Sequence, residues 1–458
     1  MQRRQFLYRS AAALAGSAVA YAAPAKRPAR PNIVFMMADD MGPFDLGCYG
    51  QKLIKTPNMD RVAAEGMRFT DCYAGASVCA PSRSVLMTGQ HTGHTRIRGN
   101  MSARTGGRVS FTKEERTIAS LLKGPEWKDE FNEDMAYKTA LFGKWGLGEP
   151  DSDGLPNDHG FDEFFGFLNQ QHAHRHYPRY LWRNKTREPL HGNDGDKQQE
   201  YASDLFVREA LHFIDRNRYQ PFFLYFTPTV PHAEFKAPDA GPYANQPWPD
   251  NDKYYAAMVT RFDDYVGKIM AKLKETGLDE NTIVFVCSDN GGTSLYKPFA
   301  SLGPFREKKG SLTEGGLRTP MLVRWPGKIK AGVVNDTPWG FQDVLPTVGE
   351  LAQVRTIPPN IDGVSVLPAL LGKTQDKERP LYWEQAGAKS FTQAVRMGKW
   401  KAIRKGLDAP LELYDLTTDI GETKSVASSH PDVVRKMESF LADCRTDSAE
   451  YPVPKKKA

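Results

Sequence analysis

The chain has 458 residues, of which 40% are hydrophobic, 25% charged and 11% aromatic. This composition excludes a largely disordered chain or a coiled coil, and the length predicts two to four domains of roughly 100–200 residues. The net charge is +6, but three of the excess charges, Arg3, Arg4 and Arg9, precede residue 23, and three more form the tail from Lys455 to Lys457. The remainder is neutral, so no surface for nucleic acid is expected.

The N-terminus has the pattern of an export signal. The pair Arg3-Arg4 precedes a mildly apolar run from Ser10 to Ala20, and a cleavage site of the A-x-A type ends at Ala22. Residues 1–22 therefore resemble a twin-arginine signal peptide, which predicts export by the Tat machinery and a periplasmic or secreted protein. An uncleaved anchor is the alternative. The run is short and rich in Ala and Gly, and no other stretch reaches 18 apolar residues, so we expect no stable membrane span.

The chain has an odd number of cysteines, and their spacing matches no zinc-binding motif. The five cysteines are Cys48, Cys72, Cys79, Cys287 and Cys444. At least one of them must be unpaired within the chain, and no C-x-x-C pair occurs.

Three apolar runs have the length of β-strands: Asn32 to Ala38, Pro221 to Phe226 and Thr282 to Cys287. They are apolar at successive positions, so each predicts a strand buried on both faces, as in a parallel sheet. Helical patterns lie between them. One opens at Thr56 and continues to Met67, and a longer one runs from Tyr254 to Thr276, where Gly277 is expected to end it.

Strands that alternate with helices predict an α/β domain with a large, mostly parallel sheet flanked by helices, over residues 31–356. The proline-containing segment 357–373 predicts a domain boundary. Short strand-like pieces and a terminal helix follow: Leu381 to Glu384, Ala394 to Arg396, Trp400 to Ile403 and Pro431 to Cys444. We interpret residues 373–458 as a smaller C-terminal α+β domain.

Polar residues follow two of the predicted strands. Asp39 and Asp40 end the first strand, and Asp289 and Asn290 end the third. Each pair alone could cap the turn that follows it. At one edge of a sheet, however, clustered carboxylates repel each other unless a cation joins them. Three carboxylates and an amide oxygen suit Ca²⁺ or Mg²⁺ and not zinc, so we expect a metal site here.

A cysteine stands at the start of an apolar, helix-forming segment, in Cys79-Ala80-Pro81-Ser82-Arg83. A helix N-terminus would lower the pKa of the Cys79 thiol, and Arg83 would supply a fixed charge for an oxyanion. The alternative interpretation is a buried structural cysteine.

This segment, followed by Thr88-Gly89, resembles the C-x-P-S-R…T-G signature of type I sulfatases. Further blocks of that family occur in its order: Asp39-Asp40, Gly143-Lys144-Trp145, Pro231-His232, Asp289-Asn290, Lys309-Gly310, Glu314-Gly315-Gly316-Leu317-Arg318-Thr319-Pro320, and Leu413-Tyr414-Asp415-Leu416 with Asp419 and Glu422. The resemblance covers most of the chain. It implies an alkaline-phosphatase-like fold and the hydrolysis of a sulfate ester.

The resemblance also implies a modified residue and a metal ion. In this family a separate maturation enzyme oxidises the cysteine to formylglycine, which would be made from Cys79. The implied ion is Ca²⁺, with Mg²⁺ as an alternative, and its ligands would be Asp39, Asp40, Cys79, Asp289 and Asn290.

The remaining catalytic roles follow from the same resemblance. Arg83 would anchor the aldehyde hydrate that attacks sulfur. Lys144 and Lys309 would bind sulfate oxygens. His232 would be the general acid for the leaving oxygen, a role that suits a histidine. Alone, each lysine could be a surface residue and His232 a loop residue.

One position departs from the family pattern. Gly146 stands where the family often has histidine, in G-K-W-H-L-G. The nearby run from Gln170 to Pro178 contains three histidines, and our hypothesis is that His172 or His174 takes the missing role. Surface histidines are the alternative.

The substrate is less constrained by the sequence. Aromatic and basic residues in loop-like stretches would suit a sulfated sugar, although the aromatics could equally pack loops together: Tyr177, Tyr180, Trp182, Tyr243, Trp248, Arg175, Arg179 and Arg183. The expected substrate is a sulfated small molecule or glycan, with a carbohydrate favoured. Two other functions stay open, namely a phosphoesterase of the related superfamily and a non-catalytic binder of sulfated glycans.

Overall fold

The structure is a computed structural model that describes residues 30–124, 136–195, 197–293 and 297–454. The expected signal over residues 1–22 and the lysine tail lie outside these ranges. The strands are β1 (Asn32–Ala38), β2 (Met67–Phe69), β3 (Cys72–Tyr73), β4 (Lys138–Lys144), β5 (Glu163–Phe167), β6 (Tyr180–Arg183), β7 (Thr186–Pro189), β8 (Phe222–Thr227), β9 (Thr282–Ser288), β10 (Met321–Arg324), β11 (Val333–Asn335), β12 (Trp339–Gly340), β13 (Leu381–Ala386), β14 (Phe391–Met397), β15 (Trp400–Lys405) and β16 (Glu412–Asp415). The helices are α1 (Pro57–Glu65), α2 (Cys79–Thr88), α3 (Ile118–Leu121), α4 (Gln170–Ala173), α5 (Ala202–Arg216), α6 (Asp250–Glu275), α7 (Glu314–Leu317), α8 (Val344–Leu351), α9 (Leu367–Leu370) and α10 (Pro431–Asp443).

A ten-stranded sheet forms the main body, in the order β11-β2-β10-β9-β1-β8-β4-β5-β6-β7. The five central strands, β9-β1-β8-β4-β5, run parallel. Antiparallel pairing enters on both sides, through β10 and β2 on one and β6 and β7 on the other. The predicted α/β fold is confirmed, with a parallel centre and mixed flanks.

The sheet separates two apolar cores because successive residues of a strand point to opposite faces. Val34 and Met36 of β1 pack with α1, α5 and α6, whereas Ile33, Phe35 and Met37 pack with α2, α3 and α8. All seven residues of β1 are buried. The run of successive apolar residues thus reflects helices on both faces, as expected.

Two predicted helices differ at their ends from the structure. The helix after Thr56 ends at Glu65, and Met67 begins β2 instead of continuing the helix. A side chain at Gly66 would place its Cβ 2.3 Å from the carbonyl oxygen of Val323, so this close approach requires glycine. The long helix α6 begins at Asp250, earlier than its apolar pattern indicated, and Gly277 follows its end with a φ of +70°.

A separate antiparallel sheet, β13-β14-β15-β16, lies near the C-terminus, and α10 packs on it. Trp383 of β13 ties this sheet to the main body, since its indole nitrogen donates to the carbonyl of Ala74 at 2.9 Å. The smaller C-terminal unit is confirmed, and its predicted boundary at 357–373 stays a prediction. Within the described ranges, no helix has both the length and the apolarity that crossing a bilayer requires.

Candidate active site

The carboxyl ends of the central strands bring the predicted metal residues together. Ala38 is in register with Ser288, so Asp39 and Asp289 leave β1 and β9 side by side. The backbone N–H of Asp40 donates to Asp289 Oδ1 at 3.2 Å, and Asn290 Nδ2 donates to Asp40 Oδ1 at 2.9 Å. All four side chains are buried.

Helix α2 presents two predicted residues to this cluster. Cys79 is its first residue, and Cys79 Sγ lies 3.5 Å from both Asp39 Oδ1 and Lys309 Nζ. One turn later, on the same face, Arg83 is fully buried. Its Nη2 donates to Asp289 Oδ2 at 2.9 Å and its Nη1 to the carbonyl of Lys144 at 2.7 Å. This network holds Arg83 in one orientation.

The expectation of an activated thiol at Cys79 is wrong. Burial, followed by the charge of Asp289, raises the pKa of Cys79 well above its ordinary value. Lys144 and Lys309 act in the opposite direction without overcoming this effect. The thiol is therefore protonated at neutral pH, because complete desolvation outweighs the helix dipole.

Both predicted lysines reach the cluster as charged groups. Lys144 ends β4 and donates to Asp39 Oδ2 at 2.7 Å, and Lys309 donates to Asp40 Oδ2 at 2.7 Å. Burial by itself would lower the pKa of each lysine, but the neighbouring carboxylates reverse the effect and raise it. Neither lysine is the surface residue that its sequence context allowed.

Two histidines face each other at the mouth of the cluster. His232 donates from Nδ1 to the carbonyl of Ala233, which leaves Nε2 facing Asp40 Oδ2 at 3.5 Å. The ring of His174 stacks on that of His232 with centroids 4.4 Å apart. Burial, then the charges of His232 and Lys144, lower the pKa of His174 to about 4. His174 is thus neutral near pH 7.

Of the two candidates for the missing histidine role, only His174 reaches the site. His172 packs away from it, against Phe167 and Tyr180, with ring centroids 4.9 and 4.4 Å distant. The third histidine of the run was given no role by the sequence. His176 is buried and donates from Nε2 to the carbonyl of His232 at 3.1 Å, which orients the loop that carries His232.

The space beside Gly146 is filled by a residue that the sequence analysis did not single out. A Cβ at Gly146 would lie 2.4 Å from Gln170 Nε2, and the backbone there has a φ of +82°. Gln170 is buried at the start of α4. It lies in the run already recognised for its histidines, but nothing in the spacing links it to Gly146.

The carboxylate and amide oxygens at this edge of the sheet suit a hard divalent cation, with a thiol and an imidazole beside them. One oxygen of Asp39, one of Asp40, Cys79 Sγ and one His232 nitrogen lie within 4.8 Å of one another. Burial and the charge of Asp39 raise the pKa of Asp289, a sign of carboxylate repulsion that a cation would relieve. The buried Oδ1 of Asn290 has no hydrogen-bond donor. Carboxylate and amide oxygens are the ligands that Ca²⁺ and Mg²⁺ prefer.

Comparison with known proteins identifies the family. A profile described as Sulfatase matches residues 31–354, and one described as N-sulphoglucosamine sulphohydrolase, C-terminal, matches residues 306–447. The chain belongs to the sulfatase family. This sulfatase is 34% identical over 396 residues to the N-acetylgalactosamine-6-sulfatase of Canis lupus familiaris, covering 82% of this chain and 72% of that protein. It is 30% identical over 485 residues to arylsulfatase G of Rattus norvegicus, covering 93% and 88%.

Solved structures agree with the family. One is the crystal structure of Ps i-CgsB in complex with k-i-k-neocarrahexaose, which has a TM-score of 0.78 and 29% identity and covers 93% of this sulfatase and 95% of that chain. The phosphonate monoester hydrolase of Agrobacterium radiobacter, at 19% identity and a TM-score of 0.65, shares the fold. The resemblance is confirmed, and this sulfatase is a sulfuric ester hydrolase.

The family block that begins at Lys309 contributes residues to two different buried charge clusters. Lys309 enters the active site, whereas Glu314 and Arg318, a few residues later, enter a second buried charge network. Lys401 of β15 donates to Glu314 Oε1 at 2.7 Å and lies 3.3 Å from Glu422 Oε1. This network joins the main body to the C-terminal sheet.

Proposed function

We propose that this protein hydrolyses the sulfate ester of a carbohydrate through a formylglycine made from Cys79 and with the help of a bound Ca²⁺, or Mg²⁺. The observation that carries the proposal is the position of Cys79, whose Sγ lies 3.5 Å from both Asp39 Oδ1 and Lys309 Nζ. A buried, protonated thiol is a poor nucleophile, so oxidation of this residue supplies the reactive group. A carbohydrate substrate is supported by the relative named N-acetylgalactosamine-6-sulfatase and by the solved structure in complex with k-i-k-neocarrahexaose.

Two lysines would hold the sulfate group, and Arg83 would position the residue that attacks it. Lys144 and Lys309 each have one ion pair to a carboxylate, and their remaining N–H donors can bind sulfate oxygens. Arg83 is fixed by Asp289 and the carbonyl of Lys144, so it orients the residue at position 79. Asp39, Asp40, Asp289 and Asn290 would hold the metal ion, which supplies positive charge where the sulfate oxygens bind.

The stacked histidines would divide two tasks. His232 has its Nε2 3.5 Å from Asp40 Oδ2, and from this nitrogen it would give a proton to the leaving oxygen. His174 has a pKa of about 4 and stays neutral, so it acts as a hydrogen-bonding partner of the substrate and not as an acid. This assignment gives His174 the role left open at Gly146.

Two competing functions are disfavoured by the same residues. A phosphoesterase of the superfamily would be expected to have Ser or Thr at position 79 and histidines among the metal ligands. A glycan-binding relative without activity would be expected to lose Cys79, Arg83 or the carboxylates. All of these residues are present and close together.

The test is the mass of the tryptic peptide from Phe69 to Arg83, taken from protein made beside a maturation enzyme. We expect an aldehyde at Cys79, and release of sulfate from sulfated sugars by that protein. The Cys79→Ala variant is expected to release none. An unmodified thiol combined with undiminished sulfate release from both proteins would refute the nucleophile. Release of phosphate in place of sulfate would favour the phosphoesterase.

We further propose export by the Tat machinery, supported by Arg3-Arg4 and the A-x-A site at Ala22. A variant with both arginines replaced by lysine is expected to stay in the cytoplasm, whereas the unaltered chain reaches the periplasm or the medium. Fractionation that finds both proteins in the same compartment would contradict this.

A further inference from the structure

A cleft of about 370 Å³ opens beside the stacked histidines. Arg175 lines one side and directly follows His174, and Glu234 lines it two residues after His232. The buried His176, also in the wall, hydrogen-bonds to the carbonyl of His232 at 3.1 Å. The cleft is therefore built from the same two chain segments that carry His174 and His232.

The cleft has a strong excess of positive charge. Within the described ranges, four cationic side chains and one acidic side chain line it, a formal charge of +3: Arg175, Arg179, Lys197, Lys236 and Glu234. Lys236 pairs with Glu234 at 3.1 Å. The other three cations have no carboxylate within ion-pairing distance among the residues that the structure describes. A concave surface with charge of one sign concentrates ligands of the opposite sign.

This excess is not a consequence of the composition. Acidic and basic residues balance over residues 23–454. Single exposed arginines elsewhere differ in this respect: Arg104 pairs with Glu450 at 2.7 Å, whereas Arg96 donates to a backbone carbonyl, so it is the grouping of the cleft cations that is unusual. Arg183, which the sequence grouped with Arg175 and Arg179, is engaged by Glu188 and Glu209 and does not line the cleft.

The buried side chain of Asn193 connects the two chain segments that form the walls of the cleft. Asn193 Nδ2 donates to the carbonyl oxygens of Pro178 and Glu200 at 2.8 and 2.9 Å, and its Oδ1 accepts from the backbone of Glu200 at 3.0 Å. The segment that carries Arg179 is thereby fixed to the segment that carries Lys197. A charged site held in place before binding loses less entropy when a ligand enters.

We propose that this cleft binds a second anionic group, a sulfate or a carboxylate, on a sugar next to the one that carries the scissile sulfate. The substrate would then be an oligosaccharide with several anionic groups, not a sugar with one. The inference rests on the proposed carbohydrate sulfatase function and deepens it. Guanidinium groups such as those of Arg175 and Arg179 suit both anions, because their planar N–H forks pair with two oxygens at once.

The kinetic test compares three probes. N-acetylgalactosamine 6-sulfate has one anionic group, a chondroitin 6-sulfate disaccharide adds a carboxylate and no further sulfate, and a carrageenan hexasaccharide adds sulfates and no carboxylate. Combining Arg175→Gln with Arg179→Gln is expected to lower kcat/KM for an oligosaccharide at least about tenfold more than for the monosaccharide. The oligosaccharide that suffers the loss identifies the anion. Equal losses for all probes, or none, would overturn the proposal.

A matched control and a binding measurement complete the design. Arg435→Gln removes an exposed guanidinium from α10 and is expected to leave all three rates unchanged. Binding of the oligosaccharides to the inactive Cys79→Ala protein is measured by calorimetry, with and without the two cleft substitutions. If the unaltered chain hydrolyses none of the probes, the proposed function fails. The cleft is then judged on binding alone, where about tenfold weaker binding supports it and equal binding refutes it.

Discussion

Two buried charge clusters in this sulfatase have the same formal composition and different surroundings. Each contains three carboxylates and three cations: Asp39, Asp40, Asp289, Arg83, Lys144 and Lys309 in the active site, and Asp71, Glu314, Glu422, Arg318, Arg396 and Lys401 in the network between the two sheets. We call the second the inter-sheet network. Buried charge alone therefore does not mark the site of reaction.

The two clusters differ in which polar groups remain accessible to a ligand. The active site borders the buried Cys79 thiol and the unpartnered Oδ1 of Asn290, and Lys309 is 19% exposed. In the inter-sheet network, the Tyr73 hydroxyl donates to Glu314 Oε2 at 2.8 Å and accepts from Arg396 at 2.5 Å. No side chain of that network is more than 15% exposed. The active site thus adjoins the thiol to be modified and an unpartnered ligand oxygen, whereas the inter-sheet network has no such thiol, and its own oxygen without a hydrogen bond, Glu422 Oε1, lies 3.3 Å from the charge of Lys401.

The largest expected effect is on stability, from Lys401→Met. This change leaves the buried carboxylates of Glu314 and Glu422 without their lysine, so we expect the free energy of unfolding to fall by about 3–5 kcal/mol. The kcat of the protein that stays folded should not change. The control Lys399→Met breaks a half-exposed pair with Asp415 and should cost less than about 1 kcal/mol. Denaturant unfolding decides, and equal losses in both variants would refute the assignment.

Lys144→Met is the equivalent substitution in the active site, and we expect it to lower catalytic activity more than stability. We expect kcat/KM to fall about 10²–10³-fold, because one sulfate-binding donor is lost. Stability should fall less than in Lys401→Met, since Asp39 keeps Arg83 at 3.7 Å, whereas Glu422 loses the lysine with which it pairs. Added Ca²⁺ should raise the melting temperature of both variants, because both keep Asp39, Asp40, Asp289 and Asn290. A Lys144→Met protein that loses stability but keeps its kcat/KM would contradict this prediction.

Substitution of the proposed acid should depend on the leaving group. We expect His232→Gln to lower kcat about 10²-fold for a sulfated sugar, because the leaving alkoxide then lacks a proton donor. An aryl sulfate, whose leaving group is a weaker base, should lose much less. Rates measured on both substrates across pH check this. Equal losses on the two substrates would assign His232 to binding and not to proton transfer.

The smallest expected effect separates the two neighbouring histidines. His174→Ala should lower kcat/KM roughly tenfold, the value of one hydrogen bond to the substrate. His172→Ala is the matched control, because its ring packs on Phe167 and Tyr180 away from the site, and kcat/KM should not change. If His174→Ala leaves the activity unchanged, neither His174 nor His172 replaces the histidine that the family often has at the position of Gly146.

The comparison also explains which predictions from the sequence succeeded. The bounds of β1 were predicted because successive apolar residues report burial on both faces. The end of α1 was missed because Gly66 is required by contact with Val323, which is distant in sequence. The pKa of Cys79 was predicted in the wrong direction, because helix position is visible in the sequence and burial is not. Gln170 was passed over because only the fold places it beside Gly146.

The sequence by itself determined the α/β class, the strand ends where Asp39 and Asp289 stand, and the family, because these follow from local apolar patterns and from residue blocks in a fixed order. Only the tertiary structure decided which charges meet. Lys309 and Glu314 lie five residues apart in the same family block, yet one pairs with Asp40 and the other with Lys401. Ion pairing depends on distances of about 3–4 Å, and those distances are set by how distant segments pack and not by their spacing along the chain.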